Sequence, residues 1–190
     1  SSAAFRVRIA LNLKNLPFEK IPIHLINNGG EQHSEQYRKI NPQELVPALQ
    51  VDDQIITQSL AIIEYLEEQY PESALLPKDL VKKAQVRQIA LTIAADIHPL
   101  NNLRVLQYLT NTLKINEEQK NTWYQHWIAK GMTPLELLLK NTAGDFCFGK
   151  TPTLADACLI PQVYNLYRFN CDITPYPTLI KIFNHCKELP

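Results

Sequence analysis

The chain has few glycines and no excess of either charge. Five Gly in 190 residues leave no room for a glycine-rich phosphate loop. Nineteen Lys and Arg balance nineteen Asp and Glu, which excludes a chain-wide basic field for nucleic acid and a polybasic membrane patch. No apolar run approaches the roughly 18 residues of a membrane-spanning helix. Cys147, Cys158, Cys171 and Cys186 form no CxxC pair. No His/Cys cluster has ligand spacing, so no metal site is expected. Scattered thiols fit a reducing cytosol better than a disulfide framework, and each reads as a small buried hydrophobe. The chain also starts on Ser1 rather than Met, at what already reads as a helix start.

What is present is ordinary for a globular protein: 45% hydrophobic and 20% charged residues. At roughly 100–200 residues per domain, the length allows one large domain or two small ones. Val7, Ala10, Leu11 and Leu13 recur near helical spacing behind two N-cap residues, Ser1 and Ser2. Ile21, Ile23 and Leu25 alternate, predicting a strand over 18–25. A turn at 27–30 (NNGG) and a short polar helix over 32–40 follow. LVPAL at 45–49 and Ile55-Ile56 flank Asp52-Asp53, predicting a β-hairpin. Ser59 then caps a helix that ends before Pro71. Residues 71–79 (PESALLPKD) read as a linker between domains of residues 1–71 and 80–190. Beyond it the pattern is helical over 80–109, 116–141, 153–169 and 177–188, with a capping box from Thr153 to Asp156. The expected architecture is a small α/β domain followed by an all-helical one.

Three local features are candidates for chemistry. Ser1-Ser2 stands at a helix N-terminus, where backbone N–H groups and the dipole attract an anion and ease the ionisation of a bound thiol. Plain N-capping explains the same residues. Val46-Pro47 lies in a strand-like context, where a cis bond would turn the Val46 N–H and carbonyl towards a peptide-like ligand. A trans Pro at a sheet edge is the alternative. Gln58-Ser59 opens a helix that could hold a carboxylate or simply be capped. Trp123, Tyr124 and Trp127 read as packing, and His24, His33 and His126 show no evident role.

The order of these features, Ser-Ser, then Val-Pro, then Gln-Ser, resembles the glutathione-binding half of the glutathione transferases, a thioredoxin-like fold. SSAAFRVRIALNLK at 1–14, NPQELVPAL at 41–49, TQSLAIIEYL at 57–66, HPLNNL at 98–103, LADACLIPQVYNLYR at 154–168 and TPYPTL at 174–179 are similar to the zeta class, the maleylacetoacetate isomerase family. The resemblance implies an α/β thioredoxin-like domain followed by an all-α domain, acting as a cytosolic homodimer with sites near the domain junction and no metal, nucleic acid or membrane partner. It implies a strand and turn before Ser1, and hence a segment preceding this sequence, with a tail after Pro190.

The same resemblance implies roles for residues. Ser1, with Ser2 beside it, would stabilise the glutathione thiolate. Gln32, Val46, Gln58, Ser59, His98 and Asn102 would contact glutathione. Arg168 would meet a substrate carboxylate, with Arg6, Arg8 and Arg104 adding positive potential for a diacid. One signature residue differs: Ala3 replaces a Cys, so no protein thiol acts there. The implied activity is glutathione-dependent cis–trans isomerisation of maleylacetoacetate to fumarylacetoacetate in tyrosine and phenylalanine breakdown. Maleylpyruvate isomerisation, general glutathione transfer or α-haloacid dehalogenation, and a non-catalytic binding module are the competing readings.

Overall fold

The computed structural model describes residues 1–189 and divides into two compact units, Ser1–Leu75 and Leu76–Pro190. The first unit holds α1 (Ser2–Leu13), α2 (Glu35–Ile40), a hairpin of β1 (Ala48–Val51) and β2 (Gln54–Thr57), and α3 (Ser59–Gln69). The hairpin pairs antiparallel from Ala48↔Thr57 to Val51↔Gln54. Asp52 takes the left-handed conformation (φ 50°) that closes its two-residue turn.

Helix α1 packs on α3 through Val7, Ala10 and Leu11 against Ile62, Ile63 and Leu66. The two helices are also joined by polar groups at both ends. Arg6 Nη1 donates to Ser59 Oγ at 3.3 Å. Lys14, with no exposed side-chain surface, lies 2.7 Å from Glu67 and donates to the carbonyls of Tyr70 and Ser73 at 2.8 and 2.9 Å. Early residue meets early and late meets late, so the helices run parallel and their N-termini lie at the same end.

The second unit is helical: α4 (Leu80–Leu91), α5 (Leu103–Gln107), α6 (Glu117–Leu139), α7 (Leu154–Arg168) and α8 (Pro177–Cys186). Helix α7 is its axis and buries residues on every side, among them Cys158, Leu159, Val163 and Leu166. The Asp156 carboxylate accepts from the backbone N–H groups of Cys147 and Thr153 and from the Thr153 hydroxyl, at 2.8–2.9 Å. Glu136 on α6, 3% exposed, accepts from the N–H groups of Thr178 and Leu179 at 3.1 and 3.0 Å and so caps α8. Gly131 lets α6 approach its neighbour, because a Cβ there would lie 2.3 Å from Ile97 Cγ1.

Several expectations are corrected. Residues 18–25 form no strand; among the described residues the sheet contains β1 and β2 alone. Alternation prepares a strand, but a ladder partner makes one, and here Ile21 stays 73% exposed. The helix expected over 80–109 is interrupted. A π-helical stretch at Thr92–Ile97 runs into Pro99, which has no N–H to continue the ladder, and Asn102 caps a new helix. The polar helix expected over 32–40 starts only at Glu35, after a 3₁₀ turn. Ser59 is the first helical residue rather than the cap; Gln58, at φ 70°, holds the cap position. Nor is 71–79 a bare linker: Pro71–Ser73 forms a 3₁₀ turn, and Leu75 is buried with its N–H bonded to Glu67.

Lys14→Met removes a buried cation from the half-buried Glu67 carboxylate and two carbonyls. It is expected to cost about 3–5 kcal/mol, read as a lower urea midpoint with an unchanged m-value. A midpoint within error of the parent would show that the α1–α3 packing alone holds the unit.

Candidate functional site

In the first unit, Ser1 caps α1: its Oγ accepts from the Ala4 N–H at 3.4 Å. The capping reading is therefore realised, and a hydroxyl is a donor as well as an acceptor. Ser2 is the first residue of the helix. Arg6 is not a surface cation. It is 2% exposed, and its guanidinium meets Ser59 at the N-terminus of α3, where cation and helix dipole add to one positive potential. Arg8 lies over the Phe5 ring, 4.9 Å from its centroid.

The Val46-Pro47 bond is cis. Tyr37 Oη and Asn41 Nδ2 both donate to the Leu45 carbonyl, at 2.7 and 2.6 Å, and hold the chain just before Val46. Gln58, in the left-handed region, donates through Nε2 to Gln43 Oε1 at 2.9 Å.

Gln32 is 6% exposed. Its Nε2 donates to the Leu25 carbonyl at 3.3 Å and lies 3.0 Å from His33 Nε2. Its Oε1 has no partner among the described residues. His33 Nδ1 pairs with Glu44 Oε2, and Arg38 Nε donates to Glu44 Oε1 at 2.7 Å. The bonds from His33 and Arg38 hold the Glu44 carboxyl below its ordinary range. Sequence reasoning missed His33 and Glu44, because nothing local couples residues so placed; Glu44 reaches His33 from a left-handed backbone at φ 57°.

In the second unit, His98 Nε2 and Asn102 Nδ2 stand 3.2 Å apart, and Asn102 Oδ1 accepts from the Arg104 N–H. The Arg104 side chain is exposed. Arg168 is exposed at the end of α7, 5.7 Å from the centroid of the Phe169 ring, which stacks on Tyr124. Burial pushes the Tyr124 hydroxyl far up, opposed by the Arg168 charge. Trp123 donates to the Leu100 carbonyl at 2.9 Å and meets Trp127 edge-on, a packing arrangement.

The protein's own thiols are poor nucleophiles. Burial raises Cys147 well above the ordinary range, raises Cys171, and pushes Cys186 up to about 12. Cys158 is fully buried. With Ala3 at the signature position, any thiolate chemistry falls to a bound thiol. Among the described residues, no group of three or more His, Cys, Asp or Glu is placed to hold a metal ion.

This geometry can be set beside known proteins. The family described as glutathione S-transferase, N-terminal domain, matches residues 1–74. A probable maleylacetoacetate isomerase of Vibrio cholerae is 52% identical over all of this chain and 88% of its own length. The chain belongs to the zeta class of the glutathione S-transferase family. The holo structure of maleyl pyruvate isomerase, described as a bacterial glutathione S-transferase of the zeta class, superposes with a TM-score of 0.95 at 45% identity, covering 100% of this chain and 89% of that one. A maleylacetoacetate isomerase of Methylobacterium extorquens, solved with bound malonate and glutathione, gives 0.93 at 38% identity, with the same coverage. The α/β first unit and helical second unit are the two parts of this fold.

The burial of the thiols sets an expectation for labelling. In native protein at pH 8, a maleimide should leave Cys147 and Cys158 unmodified, whereas denaturant should expose all four cysteines. Mass spectrometry of the digested adduct reads the sites. Rapid native labelling of Cys147 would contradict the assignment of the nucleophile to a bound thiol.

Proposed function

We propose that the protein is a glutathione-dependent cis–trans isomerase that converts maleylacetoacetate to fumarylacetoacetate, acting as a cytoplasmic homodimer in the breakdown of tyrosine and phenylalanine through homogentisate. Residues 1–71 form the glutathione-binding domain, to which His98 and Asn102 of residues 80–190 add contacts, and both parts supply cations for the diacid. The observation that carries this reading is the parallel α1–α3 pair. It sets two helix N-termini at one end, with the Arg6 guanidinium bonded to Ser59 at the start of α3, an arrangement suited to a thiolate and a carboxylate.

The residues present fit glutathione. Gln32 Oε1 is a buried acceptor without a partner and suits an N–H of a peptide-like ligand. Val46, half-buried, offers a backbone N–H and carbonyl. Gln58 and Ser59 open α3 towards a carboxylate. Bound glutathione supplies a thiol nucleophile for reversible addition to the activated double bond. The protein's part is electrostatic. The Ser1 hydroxyl and the first N–H groups of α1 hold the sulfur as its anion. Arg8, Arg104 and Arg168 carry the potential for the substrate's carboxylates, and His98 and Asn102 remain glutathione contacts. No protein acid–base pair and no metal is required.

Maleylpyruvate is the second substrate considered, because a neighbour named for it superposes at a TM-score of 0.95 and one named for maleylacetoacetate at 0.93. Ser1→Ala should raise the pKa of the bound thiol, followed by thiolate absorbance, and slow isomerisation about tenfold for each unit of that rise. An unchanged thiol pKa and rate would remove Ser1 from the mechanism. Side-by-side rates with maleylacetoacetate, maleylpyruvate and an α-haloacid assign the substrate. Faster turnover of either of the latter two would replace the reading given first.

A further inference from the structure

The cluster on His33 constrains more than its own side chain. Gln32 lies between two acceptors, the Leu25 carbonyl and His33 Nε2, and its Nε2 is within bonding distance of both. Rotating the amide would set its oxygen against the Leu25 carbonyl, acceptor to acceptor, so the orientation is fixed. Both amide hydrogens are then committed, one to Leu25 and one to the imidazole. His33 Nε2 must therefore accept, which puts the imidazole proton on Nδ1, where the Glu44 carboxylate receives it. Arg38 donates to the other carboxylate oxygen, and the bonds from His33 and Arg38 together hold the Glu44 carboxyl below its ordinary range. Each member of the series Arg38, Glu44, His33, Gln32 thus fixes the donor and acceptor roles of the next.

The far end of this series is Gln32 Oε1, shielded from water and without a partner among the described residues. Gly30 leaves space against it: a Cβ at Gly30 would stand 2.7 Å from Oε1 and 2.5 Å from Nε2. A buried acceptor with no bond costs about 1–3 kcal/mol, a cost that a donor arriving with a ligand removes.

We propose that His33, its tautomer fixed by Glu44 and Arg38, is a positioning residue that holds the Gln32 amide with its oxygen presented to an N–H of glutathione. This rests on the reading of Gln32 as a glutathione contact. His33 touches neither the reacting sulfur nor the substrate in this role; it acts through Gln32. A relay of this kind from carboxylate through imidazole resembles the way outer partners fix the tautomer of a ligand-binding histidine, here with an amide as the final group.

Glutathione affinity of the intact protein, measured by calorimetry, tests both layers. Gln32→Ala should weaken binding about tenfold; unchanged affinity would overturn the reading of Gln32 itself. Given that loss, His33→Phe should weaken binding about fivefold, and His33→Gln, whose side-chain oxygen can still accept from the Gln32 amide, should restore it to within about twofold of the parent. The double variant Gln32→Ala/His33→Phe should bind no worse than Gln32→Ala alone, since the residues act in series. Additive losses, or failure of His33→Gln to rescue, would overturn the positioning role while leaving Gln32 as a contact. Nitrogen-15 shifts of the His33 ring give an independent readout: the Nδ1–H tautomer is expected, lost in Glu44→Ala. An Nε2–H tautomer in the parent protein would overturn the proposal.

Discussion

The parallel clamp between α1 and α3 is the constraint on which the first unit rests. Arg6 with Ser59 ties the helices at one end, and Lys14 with Glu67 ties them at the other. The apolar seam between these ties contributes most of the energy, because burial of Ile and Leu side chains gives roughly 1.5–3 kcal/mol each. The polar ties do something the seam cannot. A hydrophobic stripe tolerates sliding along the helix axis, whereas a buried guanidinium or ammonium has one acceptable position. Displacement by a turn would leave Lys14 buried without Glu67, which costs several kcal/mol. The register so imposed places the α1 N-terminus, with Ser1, at the same end as Gln58 and Ser59.

That placement accounts for the economy of the site. Few side chains need to be reactive when helix N-termini and a buried Arg6 supply positive potential in fixed directions, which requires little reorganisation as charge develops. The cysteines are consistent with this division of labour. Burial raises Cys147, Cys171 and Cys186 above the ordinary thiol range, which is in keeping with a reactive sulfur that enters with glutathione. In the second unit the polar core groups serve architecture instead. Asp156 closes the start of α7, and Glu136 closes the start of α8 from α6.

Much of this was legible in the residues. Period-3.6 stretches, the Thr153–Asp156 box, the Asp52-Asp53 turn and the division into an α/β and a helical part all rest on neighbours within a few positions. So do the Ser1 cap and the candidate Val46-Pro47 bond. The misreadings share a cause of the opposite kind. Residues 18–25 alternate like a strand, but pairing depends on a distant partner, and alternation cannot report whether one is present. The break at 98–102 was hidden because the apolar period continues through Pro99 while the hydrogen-bond ladder does not. Nothing local marked Arg6 as buried; the residue it bonds, Ser59, is more than fifty positions away.

By itself the sequence determined most of the helices, the hairpin and the family, and it offered candidates for contact with glutathione, since these follow from local pattern and from motifs that do not depend on distance. Only the tertiary structure decided which of those residues act together. It settled the cis form of Val46-Pro47 against its trans alternative and placed Arg6 in the core. It also joined His33, without evident role in the chain, to Glu44 and Gln32. The physical reason is that a hydrogen bond is specified by two groups meeting within about 3 Å in the right direction. No spacing along the chain encodes that meeting until the backbone between them has folded.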